Sequence, residues 1–268
     1  MIANSHRFRW SLAILVTVVV AGLLAPGGRL DRSRTAHKTK TAVIIDQLEL
    51  TQPNPAFVAS ATRTLTDAGY TVDYYSGRQV TVDLYRNLPT FNYDVVILRA
   101  HTGRVLVTDK RTGEVTQSDY LTLFSGEEYS ATKYQREQGL GWLAESRYAE
   151  GGSQDDLFGI VPSFIDRSMA GKFNNTLVIM MGCDGLRSAV SGEAFLAKGA
   201  SALVSWSKPV SANQTDTATQ ILLDKVFTHG QAVASAVEDT AREVGPDPTY
   251  GGELRVLTST SAPSTTTE

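Results

Sequence analysis

Two apolar blocks of the chain end in side chains that can do nucleophilic chemistry. Residues 93–103 carry His101, and residues 175–185 carry Cys183, the single cysteine of the sequence. Each block is typical of a buried parallel strand that breaks at a glycine. Because reactive groups gather at the carboxyl ends of parallel strands, the pattern predicts an imidazole beside a thiol. A thiol with an adjacent base is the minimum equipment for nucleophilic attack on a carbonyl carbon.

The two blocks resemble the active-site strands of the caspase-like (clan CD) cysteine peptidases, which include gingipains, clostripain, legumain, separase and the CHAT domains. In that family one apolar strand is followed by His-Gly and a later one by Ala/Gly-Cys, and Gly182-Cys183 matches the second motif. Residues 192–206 resemble the helix-Gly-Ala-strand segment that follows the cysteine in CHAT and gingipain-like domains. The resemblance covers residues 41–257 and implies a three-layer α/β fold, with helices on both sides of a mostly parallel sheet.

The resemblance also implies roles for the residues at the two strand ends. Cys183 is the expected nucleophile, and His101 is the expected general base, which takes the thiol proton and returns a proton to the leaving amine. The family uses the N–H of the glycine after the histidine in its oxyanion hole, whereas here Thr102 precedes Gly103. We therefore expect the backbone N–H groups of Cys183 and of Gly103 or Thr102 to stabilise the oxyanion.

Three further side chains are candidates for substrate binding. Asp46 ends the predicted first strand, where family members often place a residue of the S1 pocket, which holds the substrate residue before the scissile bond (P1). A carboxylate there would select Arg or Lys at P1. Asp184 follows the nucleophile, and Trp206 ends the strand where the family builds its S1 and S2 walls. Each also has a structural reading: capping or solvation for Asp46, orientation of the loop for Asp184 and core packing for Trp206.

Composition argues against several other classes of protein. The net charge of -3 gives no electrostatic footprint for nucleic acid. A single cysteine excludes an intramolecular disulfide and a thiolate metal cluster. The four histidines have no spacing typical of a metal site. We therefore expect no metal and no cofactor. The resemblance to cysteine peptidases implies a protein or peptide as the substrate.

The N-terminus combines basic residues with an apolar run over residues 10–25. This layout predicts a signal peptide or an N-terminal membrane anchor over residues 1–28, which binds the membrane if it stays uncleaved. Residues 29–40 form a basic linker, and their positive charges leave a cytoplasmic-facing domain open as an alternative. We favour an extracytoplasmic domain, secreted or anchored, because a short N-terminal tail before an apolar core is the commoner signal layout.

Alternating strand and helix patterns over residues 41–258 predict one caspase-like peptidase domain. Residues 104–172 interrupt the alternation as an insert that begins with a β-hairpin. Because the insert lies between the two catalytic strands, it is either an element that shapes or gates the substrate site or a surface elaboration. The Ser/Thr-rich tail over residues 259–268 is predicted to be disordered. Strands are predicted at 41–46, 70–75, 202–206 and 254–257, and helices at 56–68, 82–88, 190–198, 213–228 and 231–244.

Two other functions stay open at this point. One is a catalytically inactive caspase-like or CHAT interaction module at the membrane. Thr102 between His101 and Gly103 departs from the family's His-Gly motif and favours this alternative. The other is an α/β-hydrolase with a cysteine nucleophile elbow, although that motif needs G-x-C-x-G and Met181 replaces its first glycine. The hydrolase would use His229 as its base, with Asp216 or Asp224 as the acid.

Overall fold

The protein is organised around two β-sheets and seven α-helices in the part of the chain that the structure describes. The computed structural model describes residues 39–108, 111–148 and 155–259. The strands are β1 (Lys40–Asp46), β2 (Tyr70–Ser76), β3 (Val95–Arg99), β4 (Thr102–Thr108), β5 (Val115–Glu128), β6 (Leu143–Ser146), β7 (Leu157–Ile160), β8 (Thr176–Met180), β9 (Ala200–Trp206) and β10 (Leu254–Thr258). The helices are α1 (Pro55–Asp67), α2 (Val82–Asn87), α3 (Gln135–Gly139), α4 (Pro162–Arg167), α5 (Ala189–Ala197), α6 (Ala212–Leu223) and α7 (Val233–Val244).

The larger sheet has six strands in the order β2-β1-β3-β8-β9-β10. The first five are parallel, and β10 runs antiparallel to β9. Every residue of β3 and of β8 is buried, which explains why both strands are apolar apart from Arg99 and Thr176. The structure therefore confirms an α/β fold with a mostly parallel sheet.

Helices cover both faces of this sheet. Alternate residues along each central strand belong to different cores, so Val96 of β3 packs into one core and Ile97 into the other. The first core includes Phe195 of α5, and the second includes Phe57 of α1 and Leu222 of α6. Burying one such aliphatic or aromatic side chain stabilises the fold by about 1.5–3 kcal/mol. The arrangement is compatible with three layers of secondary structure.

The predicted β-α-β start of the domain is confirmed, and its boundaries have local causes. The Asn54 side chain accepts a hydrogen bond from the Phe57 N–H at 3.1 Å, which caps α1. Pro55 occupies the first helical position, where its missing N–H costs nothing. Gly69 then adopts φ +87°, a conformation that favours glycine, and turns the chain into β2.

The insert forms a second, antiparallel sheet in the order β4-β5-β7-β6. The predicted hairpin is confirmed as β4 and β5, although β4 already begins at Thr102, the residue after His101. This sheet therefore starts directly after His101, two residues beyond the end of β3.

The predicted signal peptide or anchor at 1–28 and all but two residues of the linker at 29–40 lie outside the described residues, as does the tail after residue 259. Among the residues that are described, no helix is long and apolar enough to cross a membrane.

Candidate functional site

His101 and Cys183 line one cleft at the carboxyl ends of the parallel strands. His101 follows the end of β3, and Cys183 follows the end of β8, which is hydrogen-bonded to β3 in parallel. The cleft has a volume of about 500 Å³, and both side chains contribute to its wall. The structure thus brings together the two residues that the sequence nominates as base and nucleophile.

The walls of the cleft come from both sides of the fold. The insert sheet contributes Thr102, Gly103, Phe124, Arg147 and Tyr148. The loop before α6, residues 209–212, forms much of the opposite wall together with Tyr250. No Asp or Glu occurs among the described residues that line the cleft. Residues of the insert therefore form part of the cleft wall.

The imidazole of His101 is held by the loop after β1 and by aromatic rings. Thr51 Oγ1 lies 2.9 Å from His101 Nε2, and the His101 backbone N–H donates to Gln47 Oε1 at 3.0 Å. The ring contacts Tyr148 edge-on, with 4.9 Å between centroids. When Nε2 carries the hydrogen and donates it to Thr51, Nδ1 is the nitrogen left to accept a proton. Thr51 therefore fixes the ring plane, and its hydroxyl can pair with either tautomer of His101.

Burial moves His101 and Cys183 toward their neutral forms. Desolvation, and secondarily the Arg99 guanidinium, lowers the pKa of His101 to about 4. Desolvation is also the main cause that raises the pKa of Cys183, with smaller contributions in the same direction from Asp184 and Asp247. At neutral pH the resting site therefore holds a thiol and a neutral imidazole, and both shifts disfavour the thiolate–imidazolium pair in the absence of substrate.

The Cys183 thiol is held against the opposite wall of the cleft. Its Sγ accepts a hydrogen bond from the Val210 N–H at 3.5 Å and lies 3.6 Å from the Val210 carbonyl oxygen. Asp184 has φ +58°, so the chain turns sharply just after the nucleophile. Its carboxylate pairs with Arg187 at 3.2 Å, and its N–H donates to the Lys208 carbonyl. Asp184 is buried and does not line the cleft, which fits loop orientation and not substrate binding.

The hydrogen-bond pattern between β4 and β5 distinguishes the two candidate oxyanion donors, the backbone N–H groups of Thr102 and Gly103. The Phe124 N–H donates to the His101 carbonyl at 2.9 Å, which places Thr102 in a non-hydrogen-bonded pair and Gly103 in a hydrogen-bonded pair. The Gly103 N–H is therefore directed at β5. The Thr102 N–H is directed away from β5, and Thr102 lines the cleft. This geometry favours Thr102 over Gly103 as the partner of the Cys183 N–H.

The side chain of Thr102 also connects the two catalytic loops. Its hydroxyl donates a hydrogen bond to the Cys183 carbonyl oxygen. A Cβ atom at Gly182 would lie 2.6 Å from the Ala100 carbonyl oxygen and 2.7 Å from the Thr102 side chain. Glycine is therefore required before the cysteine because the histidine strand passes so close to it.

Asp46 does not fit its expected place in an S1 pocket. It is 1% exposed, does not line the cleft, and pairs with the fully buried Arg99 at 2.8 Å. Burial raises the pKa of Asp46, and Arg99 opposes that shift. The Arg99 guanidinium also binds Asp216 through two nitrogens at 2.8 and 2.9 Å. The Asp46 carboxylate is therefore a structural ligand of a buried arginine, and we do not retain it as a substrate-binding residue.

Trp206 is likewise a core residue. It is 1% exposed, and its indole N–H donates to Thr215 Oγ1 at 2.9 Å. Its ring packs in the core that contains Leu222 of α6, and Trp206 itself does not line the cleft. The second reading of Trp206, core packing, is the one that the structure supports.

The residues required by the hydrolase alternative are not at the cleft. His229 follows the π-helical turn Asp224–Thr228 that continues α6, and it pairs with Asp224 at 3.2 Å. Phe227 in that turn contacts Tyr70, the first residue of β2, so this turn lies near the amino end of that strand. Asp216 is occupied by Arg99. The structure therefore does not place His229 or Asp216 among the residues that line the cleft.

Sequence reasoning missed the residues that hold His101. Thr51, Gln47 and Tyr148 lie in loops or at a strand end, where no periodic pattern marks a contact. Arg99 did have a signal, because an arginine inside a continuous apolar strand requires carboxylates within reach.

The described residues contain no group of three or more His, Cys, Asp or Glu side chains placed to hold a metal ion. No family model matches the chain, and no curated protein matches it. The geometry of the site itself therefore carries the functional argument.

Proposed function

We propose that the protein is a cysteine endopeptidase of the caspase-like type, with Cys183 as nucleophile and His101 as general base. The observation that carries the proposal is the shared cleft, which both side chains line from adjacent parallel strands. The mostly parallel sheet between helices and the position of the insert at the cleft give further support. The bond between Thr51 and His101 supplies an orienting residue for the base.

The proposed peptide hydrolysis starts from the neutral thiol of Cys183 and the neutral imidazole of His101. The imidazole of His101 accepts the thiol proton as Cys183 Sγ attacks the substrate carbonyl, and the carbonyl oxygen becomes an oxyanion. The N–H groups of Cys183 and Thr102 stabilise that charge, and one such donor typically contributes about 3–4 kcal/mol. The imidazolium then protonates the leaving amine, which leaves a thioester on Cys183. Water, deprotonated by His101, hydrolyses this thioester and restores the thiol.

The described cleft changes the expectation about substrate side chains. A preference for Arg or Lys at P1 depended on Asp46, which is buried beneath the cleft wall and bound to Arg99. The described walls carry the rings of Phe124, Tyr148 and Tyr250. These walls favour an apolar or aromatic residue beside the scissile bond over a basic one.

The test is cleavage of a quenched fluorescent peptide library by the purified protein, together with mass spectrometry after treatment with a peptidyl chloromethyl ketone. We expect turnover, and label attached to Cys183. Cys183→Ala and His101→Ala should each reduce turnover by at least about a thousandfold. His229→Ala is the matched control, because this histidine is 67% exposed and lies away from the cleft, so it should keep full activity.

Three results would overturn the proposal. A folded wild-type protein that neither cleaves the library nor takes up the label is an inactive interaction module. Activity that survives in Cys183→Ala places the nucleophile elsewhere. Activity that survives in His101→Ala and is lost in His229→Ala would support the α/β-hydrolase with His229 as its base.

A further inference from the structure

Two loops form the cleft wall on the side of Cys183, and one buried carboxylate binds both of them. The first is the loop before α6, and the second connects α7 to β10. Ser211 of the first loop and Tyr250 of the second line the cleft. Asp247 belongs to the second loop, is 2% exposed and does not line the cleft. Any effect of Asp247 on a substrate is therefore indirect.

Four donors converge on the Asp247 carboxylate. The Ser211 N–H and hydroxyl donate to its Oδ2 at 2.8 and 2.7 Å. The N–H groups of Thr249 and Tyr250 donate to its Oδ1 at 2.9 and 2.8 Å. An ionised carboxylate has about four acceptor positions, two on each oxygen, so these four bonds satisfy it. Each oxygen thus holds one of the two loops.

The same four bonds keep Asp247 charged. Burial acts to raise the pKa of Asp247, but the hydrogen bonds from Ser211, Tyr250 and Thr249 outweigh it and hold the pKa below its ordinary value. The carboxylate is therefore ionised at neutral pH. Hydrogen bonds to a charged acceptor are stronger than those between neutral groups, which makes Asp247 a firm connection between the loops.

The second loop closes on Asp247 and packs tightly against the first. The Asp247 N–H donates to the Gly252 carbonyl at 2.8 Å, and the Gly251 N–H donates to the Asp247 carbonyl at 2.8 Å. A Cβ atom at Gly252 would lie 2.5 Å from the Pro209 carbonyl oxygen. Tyr250 lies inside this closed loop, so the position of its backbone follows that of Asp247.

The first loop connects this arrangement to Cys183. Val210, the residue before Ser211, donates its N–H to Cys183 Sγ at 3.5 Å. Tyr250 is 53% exposed and contributes to the wall of the cleft. Because Asp247 binds both loops, it fixes the distance between the Tyr250 part of the wall and the thiol.

We propose that Asp247 is a positioning residue for substrate binding, which holds Tyr250 in place as the wall for an apolar or aromatic side chain of the peptide. The inference rests on the proposed peptidase function and assigns a determinant of specificity within that site. An asparagine cannot replace Asp247, because its amide offers one acceptor oxygen and its NH₂ group only donates. One of the two loops would then lose its acceptor.

The test begins by locating the substrate residue that contacts Tyr250. A peptide library is profiled with the wild-type protein and with Tyr250→Ala. We expect kcat/KM for an aromatic residue relative to alanine to fall about fivefold in Tyr250→Ala at one library position, which is the loss of one aromatic contact. This ratio at that position is the quantity measured in every other variant.

Asp247→Asn should lower the ratio about threefold at the same library position. In the Tyr250→Ala background, Asp247→Asn should lower it no further, because both substitutions act through one contact. Ser211→Ala removes only the hydroxyl bond to Asp247 and should lower the ratio about twofold, so it decides the question if circular dichroism shows that Asp247→Asn does not fold. Asp94→Asn is the matched control, because the Asp94 carboxylate also accepts a backbone N–H, that of Thr41 at 2.8 Å, but at the amino end of the sheet.

Asp94→Asn should reduce the melting temperature and leave the ratio unchanged. The proposal is overturned if Tyr250→Ala alters no library position, if folded Asp247→Asn keeps the wild-type ratio, or if the effects of Asp247→Asn and Tyr250→Ala multiply in the double variant. An equal fall of the ratio in Asp94→Asn also overturns it, since general destabilisation then accounts for the change. Absence of cleavage by the folded wild-type protein overturns the proposed function, and the role of Asp247 with it.

Discussion

Asp46→Ala should destabilise the protein without changing the side chains that it accepts at P1. The Asp46 carboxylate accepts hydrogen bonds from Arg99 at 2.8 Å, from the Glu49 N–H at 3.1 Å and from the Tyr74 hydroxyl at 3.3 Å. Its removal leaves Arg99, which is 0% exposed, with a single carboxylate partner, Asp216. The substitution also removes the cap of the short helical turn Gln47–Leu50.

The size of the effect follows from these contacts. Breaking a buried ion pair by removing one partner typically costs 3–5 kcal/mol in the free energy of unfolding. We expect about 3 kcal/mol, the lower end of that range, because Asp216 still neutralises Arg99. For a domain of this size the loss corresponds to a decrease in melting temperature of roughly 6–12 °C.

Urea denaturation followed by circular dichroism measures the free energy directly, and a peptide library measures the P1 preference. The matched control is Asp83→Ala, which breaks an exposed ion pair with Arg86 and should cost less than about 1 kcal/mol. If Asp46→Ala unfolds like wild type and loses only cleavage after Arg or Lys, the structural role of Asp46 as a partner of Arg99 is refuted. That result would support Asp46 as a residue of the S1 pocket.

Two further predictions concern His101 and Gly182. Because burial lowers the pKa of His101 from 6.5 to about 4, the unfolded chain binds more protons between these values, and stability should fall by about 3 kcal/mol as pH drops from 7 to 4. Urea denaturation of His101→Gln should lack this part of the pH dependence, and an unchanged profile would contradict the assignment. Gly182→Ala should cost about 1–3 kcal/mol and most of the activity, because the new methyl group meets the Ala100 carbonyl. Gly139→Ala, which meets nothing within 4 Å, is the control for thermal melting and turnover, and equal behaviour of the two variants would contradict the close approach.

The elements that position the site could be predicted because their sequence patterns are local. Strands buried on both faces must be continuous apolar runs, and β1, β3 and β8 stand out for that reason. Parallel pairing then brings His101 and Cys183 to the same edge without any knowledge of the loops.

The role of Asp46 was mistaken because its partner is distant in sequence. Asp46 and Arg99 are separated by 53 positions, and strand position alone suggested an open carboxylate at the edge of the sheet. The signal that decides between the two readings is Arg99 itself. An arginine buried within an apolar strand needs a carboxylate, and the end of the neighbouring strand is the nearest place for one.

The buried ion pair and the catalytic base are connected through one loop. Arg99 binds Asp46 at the start of this loop and the Gln52 carbonyl, at 2.9 Å, near its end. Thr51, which lies between these two anchors, holds His101 Nε2. Loosening either anchor therefore changes the orientation of the imidazole, although neither Asp46 nor Arg99 lines the cleft. Under the proposed function, Asp46→Ala should consequently lower kcat more than it raises KM, because the ring orientation matters most in the proton-transfer step.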